Sequence, residues 1–157
     1  VTLASIAPVY SVLDLACGLN PLSIPWMPLR EGFTYHASDV VTPLVDFLGS
    51  YFELFGINGT ASIGDLSSSF SAQKVQLALL MKTLPLMEQI ERGLAGKILD
   101  NIQADHILIT YPLRSLGGRK KGMEQTYRFQ FDQLIAGRGW KIQEFSFPNE
   151  IAFLATR

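Results

Sequence analysis

Short apolar runs alternate along the chain with longer segments whose apolar residues recur every three or four positions. The first pattern is typical of buried strands, and the second is typical of helices that pack one face on a sheet. Seven strands are predicted, at residues 12–16, 34–39, 60–66, 75–81, 106–111, 140–147 and 151–156. Helices are predicted at 43–55, 84–93, 94–102 and 123–136, with Thr42 as the N-cap of the first.

The order of these elements predicts the fold. Strand–helix alternation through the first five strands indicates a parallel sheet with right-handed crossovers. The last two strands are joined only around Pro148-Asn149, a link so short that they must pair antiparallel. We therefore expect one α/β domain over residues 1–157, with a Rossmann-like, doubly wound, mostly parallel seven-stranded sheet and a C-terminal antiparallel hairpin. This architecture resembles that of class I S-adenosylmethionine-dependent methyltransferases.

Composition narrows the class of protein. With 157 residues, 48% hydrophobic and 17% charged, the chain is long and apolar enough for one folded domain. The net charge of −1 does not indicate a nucleic-acid partner, so any such partner must be met by a local basic patch or another domain. The single cysteine, Cys17, fits a reducing compartment such as the cytoplasm. No metal-spaced His/Cys cluster and no membrane-length apolar run is present, so neither a metal nor a membrane is predicted.

The first predicted strand ends in Cys17-Gly18, and Asn20-Pro21 follows as a strong turn signal. In α/β proteins such a turn is either a site for a nucleotide-like ligand or a plain strand-to-helix connection. Glycine allows close approach of the backbone to a ligand. Because Asn20 and Pro21 stand where further glycines would be, the G-x-G-x-x-G fingerprint of NAD sites is absent.

Acidic residues follow the next two predicted strands. Asp39 comes 21 residues after Gly18, the spacing at which an acid binds ribose hydroxyls in dinucleotide sites. Asp65-Leu66 offers an acceptor for an adenine amino group and an apolar face for its ring. Each acid also has a structural alternative, a helix N-terminal charge for Asp39 and an exposed loop acid for Asp65. Their position at successive strand ends favours a cofactor site over these alternatives.

Candidate substrate residues follow the fourth and fifth strands. Lys82 and Glu88 lie where a substrate would approach the cofactor, although a solvated helix start explains them as well. The segment 114–122 contains Arg114, Arg119, Lys120 and Lys121 among three glycines. It is suited to phosphate contacts and to ordering by a substrate, while the structural alternative is a solvated basic loop.

Four segments carry a more specific resemblance. They are VLDLACGLNPLSIPWM, YHASDVVTPLVDF, LLMKTLPLMEQIERG and YPLRSLGGRKKGMEQTY. Together they resemble the aminoglycoside-resistance 16S ribosomal RNA methyltransferases, and the match runs through essentially the whole chain. Members of that family methylate N7 of a guanine in the decoding site of the small ribosomal subunit, which blocks aminoglycoside binding.

The resemblance implies S-adenosylmethionine as the cofactor and assigns seven residues to it. The methionine part is assigned to Ala16, Cys17 and Gly18. The ribose is assigned to Asp39 and Val40, and the adenine to Asp65 and Leu66. It also places Lys82 and Glu88 near the target-base pocket. Arg114 and Ser115 match the segment that reaches the target nucleotide.

The resemblance implies 16S rRNA in the 30S subunit as the partner. Family members carry a helical N-terminal region that docks on the subunit and precedes the glycine strand. This chain begins almost directly on that strand, so we expect it to be a catalytic core that lacks the docking region. Two alternatives remain open from the residues alone, a small-molecule methyltransferase with a related core and a non-catalytic nucleotide-binding module.

Overall fold

A computed structural model describes residues 2–68, 73–113 and 122–157 of the chain. Seven strands form a single sheet: β1 (Val9–Leu15), β2 (Leu29–Asp39), β3 (Gly59–Ile63), β4 (Val75–Met81), β5 (Ala104–Pro112), β6 (Lys141–Phe147) and β7 (Glu150–Thr156). Four α-helices connect them: α1 (Thr42–Leu54), α2 (Leu84–Ile90), α3 (Leu94–Asn101) and α4 (Met123–Ile135). Two 3₁₀ helices, Ala4–Ile6 and Asn20–Trp26, flank β1.

The strands lie in the order β3-β2-β1-β4-β5-β7-β6. The first five are parallel, and β7 pairs antiparallel with both β5 and β6. This confirms the predicted sheet and its reversed hairpin. Strand β1 has β2 on one side and β4 on the other, and Leu13 pairs with both His36 and Ala78. The carboxyl end of β1 is therefore the switch point at which open α/β sheets bind ligands.

Each face of the sheet carries its own apolar core, because successive residues of a strand point to opposite faces. Helices α2, α3 and α4 cover one face, where Leu80, Ile98, Ile107 and Phe131 are buried together. Helix α1 and the N-terminal residues cover the other. Strand β4 is buried on both faces, as its continuous apolar sequence predicts. No helix in the described ranges is long and apolar enough to span a bilayer.

Aromatic packing fixes α4 against the reversed strand. The Phe131 ring lies 3.9 Å from that of Phe153, with 9° between the planes. Tyr111, near the end of β5, contacts Phe153 edge-on and stacks on Tyr127 at 5.0 Å. Such pairs add about 1 kcal/mol each to the gain from burial. Helix α4 is thereby held beside the carboxyl end of β5.

Several predicted boundaries differ from the structure. Strand β2 begins at Leu29 rather than residue 34, because its first half is an exposed extension whose polar residues hide the strand pattern. Strand β3 ends at Ile63, so Asp65 lies in the turn after it. The N-cap prediction for Thr42 is wrong: Val41 occupies that position and no side chain caps the helix. The predicted break between α2 and α3 falls at Gly93, whose φ is +85°.

Candidate active site

The glycine turn after β1 is tied directly to the end of β2. The Gly18 amide donates to Oδ2 of Asp39 over 2.9 Å, and the Val41 amide donates to Oδ1 over 3.1 Å. The Asp39 side chain is buried, with 8% of the residue exposed. The structure thus brings together the two residues that the spacing singled out. Each carboxylate oxygen keeps a second lone pair for a ligand hydroxyl.

The backbone of the turn is held in an uncommon conformation. Ala16 has a φ of +50° and Gly18 a φ of +52°. For alanine this left-handed conformation costs about 1 kcal/mol, and such strain is concentrated at functional sites. A Cβ on Gly18 would meet nothing within 4 Å, so space is open on that side. The backbone of the turn at Gly18 is therefore accessible to a ligand.

Cys17 lies between these two residues and is buried. Its amide donates to the Ser38 carbonyl over 3.0 Å, which adds a second link between the turn and β2. Burial, with the charges of Asp14 and Asp39, raises the pKa of the Cys17 thiol to about 12. The side chain therefore stays a neutral thiol and is suited to packing rather than to nucleophilic chemistry.

Asp14 is a site residue to which the sequence interpretation gave no role. Its Oδ2 accepts hydrogen bonds from the Tyr35 hydroxyl at 2.6 Å and from the Asn20 side-chain amide at 2.9 Å. Its Oδ1 is buried and has no partner among the described residues. Burial raises the pKa of this carboxyl to about 7, and the charge of Asp39 adds to the shift. The only signal in the sequence was one acid within an otherwise apolar strand.

A backbone hydrogen bond connects the turn after β3 to the end of β2. The Gly64 amide donates to the Asp39 carbonyl over 3.0 Å. Any Cβ at Gly64 would lie 2.1 Å from the Ser38 hydroxyl oxygen, so this close approach favours glycine. The side chains of the turn point to different surroundings: Asp65 is exposed, whereas Leu66 is 5% exposed and packs in the core. Val40, after β2, is 61% exposed.

The Asp65 carboxylate accepts hydrogen bonds within its own turn. Its Oδ1 accepts from the amide of Ser67 at 2.8 Å and from the Ser67 hydroxyl at 2.7 Å. These hydrogen bonds lower the pKa of the Asp65 carboxyl. The geometry fits an exposed turn acid and leaves the second carboxylate oxygen for a ligand, so the adenine role stays a prediction.

Lys82 lies at the end of β4 with a φ of +61°. Its amide donates to both the carbonyl and the hydroxyl of Thr110, at 3.0 and 3.1 Å. Its ammonium group is 2.9 Å from Oε2 of Glu150, the first residue of β7. This pair joins the carboxyl edge of β4 to the hairpin. Glu150 was missed in the sequence interpretation because only the strand register places it beside Lys82.

Glu88 has a clear structural contact. Its Oε2 accepts from the Gly93 amide at 3.0 Å and its Oε1 accepts from the Ala95 amide at 3.1 Å. Both amides belong to the start of α3, where a helix leaves donors without partners and favours a negative charge. Glu88 thus fixes the corner between α2 and α3 while lining a cavity beside α4.

Arg114 and Ser115 lie outside the described residues, as does the rest of the basic segment to residue 121. Among the residues that the structure does describe, no group of three or more His, Cys, Asp or Glu side chains is placed to hold a metal ion. His36 and His106 each contact a threonine hydroxyl at 2.9 Å within the sheet.

Comparison with known proteins identifies the family of this chain. The sequence model of the ribosomal RNA methyltransferase family FmrO matches residues 1–154. A 16S rRNA (guanine(1405)-N(7))-methyltransferase of Micromonospora olivasterospora is 42% identical over 150 residues, which cover 93% of this chain and 50% of the relative. The enzyme of the same description from Micromonospora rosea is 38% identical over 141 residues, covering 90% of this chain and 52% of the relative.

A solved structure of another relative supports the same family. The crystal structure of 16S rRNA methyltransferase RmtF in complex with S-adenosyl-L-homocysteine superposes with a TM-score of 0.82 at 32% identity, covering 93% of this chain and 55% of RmtF. The chain spans about half the length of the relatives that it matches. The family predicted from the four sequence segments is thereby confirmed. This chain belongs to the FmrO family of ribosomal RNA methyltransferases.

Proposed function

We propose that the protein transfers a methyl group from S-adenosylmethionine to N7 of a guanine in the decoding site of 16S rRNA. The observation that carries this proposal is the Gly18–Asp39 hydrogen bond at the switch point of a sheet belonging to this family. It places an open glycine turn beside a fixed carboxylate. The relatives named above supply the reaction and the target base.

The residues of this corner fit the cofactor. Asp39 is rigidly held through Gly18 and Val41 and has lone pairs left for the two ribose hydroxyls. Asp14 places an unpartnered buried oxygen beside the same turn. The Asp39 carboxylate favours a cationic ligand, and S-adenosylmethionine carries both an ammonium and a sulfonium group. Val40 offers exposed apolar surface next to the ribose position. The second carboxylate oxygen of Asp65 has no partner among the described residues and can accept from the adenine amino group.

The proposed reaction does not require a catalytic triad. Bound S-adenosylmethionine supplies a methyl group activated by its attachment to a positively charged sulfur. Guanine N7 bears a lone pair and no proton, so no general base is required from the protein. The protein has to hold the flipped base so that N7, the methyl carbon and the sulfur lie in line. Misplacement by about 1 Å lowers such a rate by ~100-fold.

The substrate edge has residues for this positioning. Lys82 projects from the end of β4, next to β1, and is held by Thr110 and Glu150. We assign it, together with Arg114 and Ser115 of the following segment, to contacts with the target nucleotide. Glu88 contributes by fixing the α2–α3 corner behind that edge. The partner is then the 30S subunit, and the site of action is the cytoplasm, where ribosomes are located. Methylation of the decoding-site guanine at N7 confers aminoglycoside resistance.

The proposal is tested with purified protein in two steps. Calorimetry should detect binding of S-adenosylmethionine and no binding of NAD. Isolated 30S subunits should then accept a labelled methyl group from S-adenosylmethionine, whereas a pool of small-molecule acceptors should not. Absence of S-adenosylmethionine binding in a folded sample excludes any methyltransferase. Transfer to a small-molecule acceptor instead of 30S subunits indicates a small-molecule enzyme.

A further inference from the structure

A groove runs between the α2–α3 pair and α4, on the face of the sheet that these helices cover. It consists of two neighbouring cavities of about 530 and 510 Å³, which share Pro85, Glu88 and Gln130. Tyr111 lines it and follows Thr110, whose carbonyl accepts from the Lys82 amide. We call it the α2–α4 groove. It therefore starts at the edge to which we assign the target base and continues outward from it.

Both walls of the groove are fixed. On one side, the Glu88 carboxylate binds the first amides of α3, so the turn between α2 and α3 is closed by two hydrogen bonds. On the other side, Tyr111 stacks on Tyr127 and Phe131 stacks on Phe153, which anchors α4. Because the helices that form the groove are fixed, ligand binding does not require the cost of ordering its backbone.

The side chains that line the groove suit a nucleotide. Phe129 is 65% exposed on α4, although burial of an aromatic side chain is favourable. Gln133 lies one helical turn further along the same face, and Gln130 is next to Phe129. An exposed aromatic ring beside amide groups is the combination with which proteins stack an unpaired base and bind its edge.

The charged side chains that line the groove also suit a nucleotide. Arg92 lines it and forms no salt bridge with any carboxylate in the described part of the chain. The one carboxylate in the lining, that of Glu88, is already bound through both oxygens to backbone donors. A guanidinium that lines the same cavity as an aromatic ring is suited to the phosphate of a stacked nucleotide. The cavity volumes lie in the range of small-ligand sites, about 300–1,000 Å³.

We infer that the α2–α4 groove binds one unpaired nucleotide of the RNA next to the target guanine, with its base on Phe129 and its phosphate on Arg92. Flipping the target base out of its stack leaves its neighbours unstacked, and the groove offers one of them a new partner. This inference rests on the proposed function. It adds an RNA contact beyond the target-base pocket, on a helix surface that the methyl transfer itself does not use.

The test uses fluorescence anisotropy with a fluorescein-labelled single-stranded RNA hexanucleotide of adenosine. Phe129→Ala and Arg92→Ala should each weaken binding by at least about fivefold, the lower limit for loss of one stacked base. Phe55→Ala is the matched control, because Phe55 has the same 65% exposure but follows α1. Arg30→Ala, on β2, controls for loss of one positive charge. All four variants should bind S-adenosylhomocysteine as the native protein does.

Methyl transfer to 30S subunits supplies the second readout. The two groove variants should raise the KM for subunits by a similar factor and leave kcat within about twofold, since the contact forms outside the reacting centre. Native-like RNA binding by both groove variants, or no binding of the hexanucleotide by the native protein, overturns the inference. So does a defect with subunits alone, which would assign the groove to a ribosomal protein. Groove-dependent RNA binding without any methyl transfer would instead count against the proposed function.

Discussion

The amide of Gly18 and the carboxylate of Asp39 are joined by a 2.9 Å hydrogen bond across 21 residues of sequence. Between them the chain leaves β1, passes through a 3₁₀ helix and returns along β2. The same carboxylate binds the Val41 amide, and the carbonyl of Asp39 accepts from Gly64. One residue therefore aligns the ends of three strands at the edge to which we assign the cofactor.

Asp39→Ala should weaken S-adenosylmethionine binding by roughly 10- to 100-fold. The variant loses charge-assisted hydrogen bonds to the ribose as well as the bond that holds the glycine turn. Isothermal titration calorimetry measures the change. Asp46→Ala, which removes an exposed acid from α1, should leave the affinity within twofold. An unchanged affinity for Asp39→Ala would show that the ribose is bound elsewhere.

Asp14 should make the folded protein less stable as pH rises from about 4 to about 7. Its pKa is raised from 3.8 to about 7, so the folded state keeps a proton that the unfolded state has released over this range. Folding takes up a proton there, and the free energy of unfolding falls with increasing pH. Between pH 5 and 7 this group should contribute a loss on the order of 2 kcal/mol.

Urea denaturation of the native protein and of Asp14→Asn measures this effect. The asparagine does not titrate, so the stability of the variant relative to the native protein should increase steadily over that pH range. Asp46→Asn serves as the control and should follow the native curve. Parallel curves for Asp14→Asn and the native protein would mean that Asp14 is ionised throughout.

Lys82 provides a test that separates backbone strain from side-chain chemistry. Because its φ is +61°, Lys82→Gly should be more stable than Lys82→Ala by about 1 kcal/mol. Both variants should bind the cofactor normally and lose methyl transfer to 30S subunits, since both lack the ammonium group. Thermal unfolding and transfer assays give the two readouts. Full transfer activity in either variant would remove Lys82 from the target-base contacts.

Gly59→Ala should destabilise the protein by about 1–3 kcal/mol. A Cβ at this position would lie 2.5 Å from the Tyr35 carbonyl oxygen of β2 and 3.3 Å from the Phe52 ring of α1, so β3 would have to move away from both. Gly49→Ala is the matched control within α1, where a Cβ meets nothing within 4 Å. It should stabilise the helix by about 0.5–1 kcal/mol. Equal denaturation midpoints for the two variants would contradict the packing described here.

The fold was predictable because its determinants are local. The apolar run of β4 specifies a strand buried on both faces, and the short link at Pro148-Asn149 permits only an antiparallel hairpin. The Gly18–Asp39 pairing followed from spacing, since the ends of neighbouring parallel strands meet at one edge of the sheet. The family followed from sequence segments whose residue order is far more specific than a glycine turn.

The contacts that were missed connect elements distant in sequence. Glu150 meets Lys82 only because the register of β5 and β7 places it opposite Pro112. Glu88 binds the start of α3 because the chain turns sharply at Gly93. The role of Asp14 depends on Tyr35 from the neighbouring strand. Such contacts depend on register and turn geometry, which hydrophobic patterning does not specify.

The most direct measurement is mass spectrometry of the decoding-site fragment of 16S rRNA from aminoglycoside-sensitive cells that express the protein. The fragment should carry one added methyl group on a guanine, and its fragmentation should place that group at N7. Cells that express Asp39→Ala at the same level should show little or none. An unmodified guanine in cells containing folded, cofactor-binding protein would contradict the proposed activity.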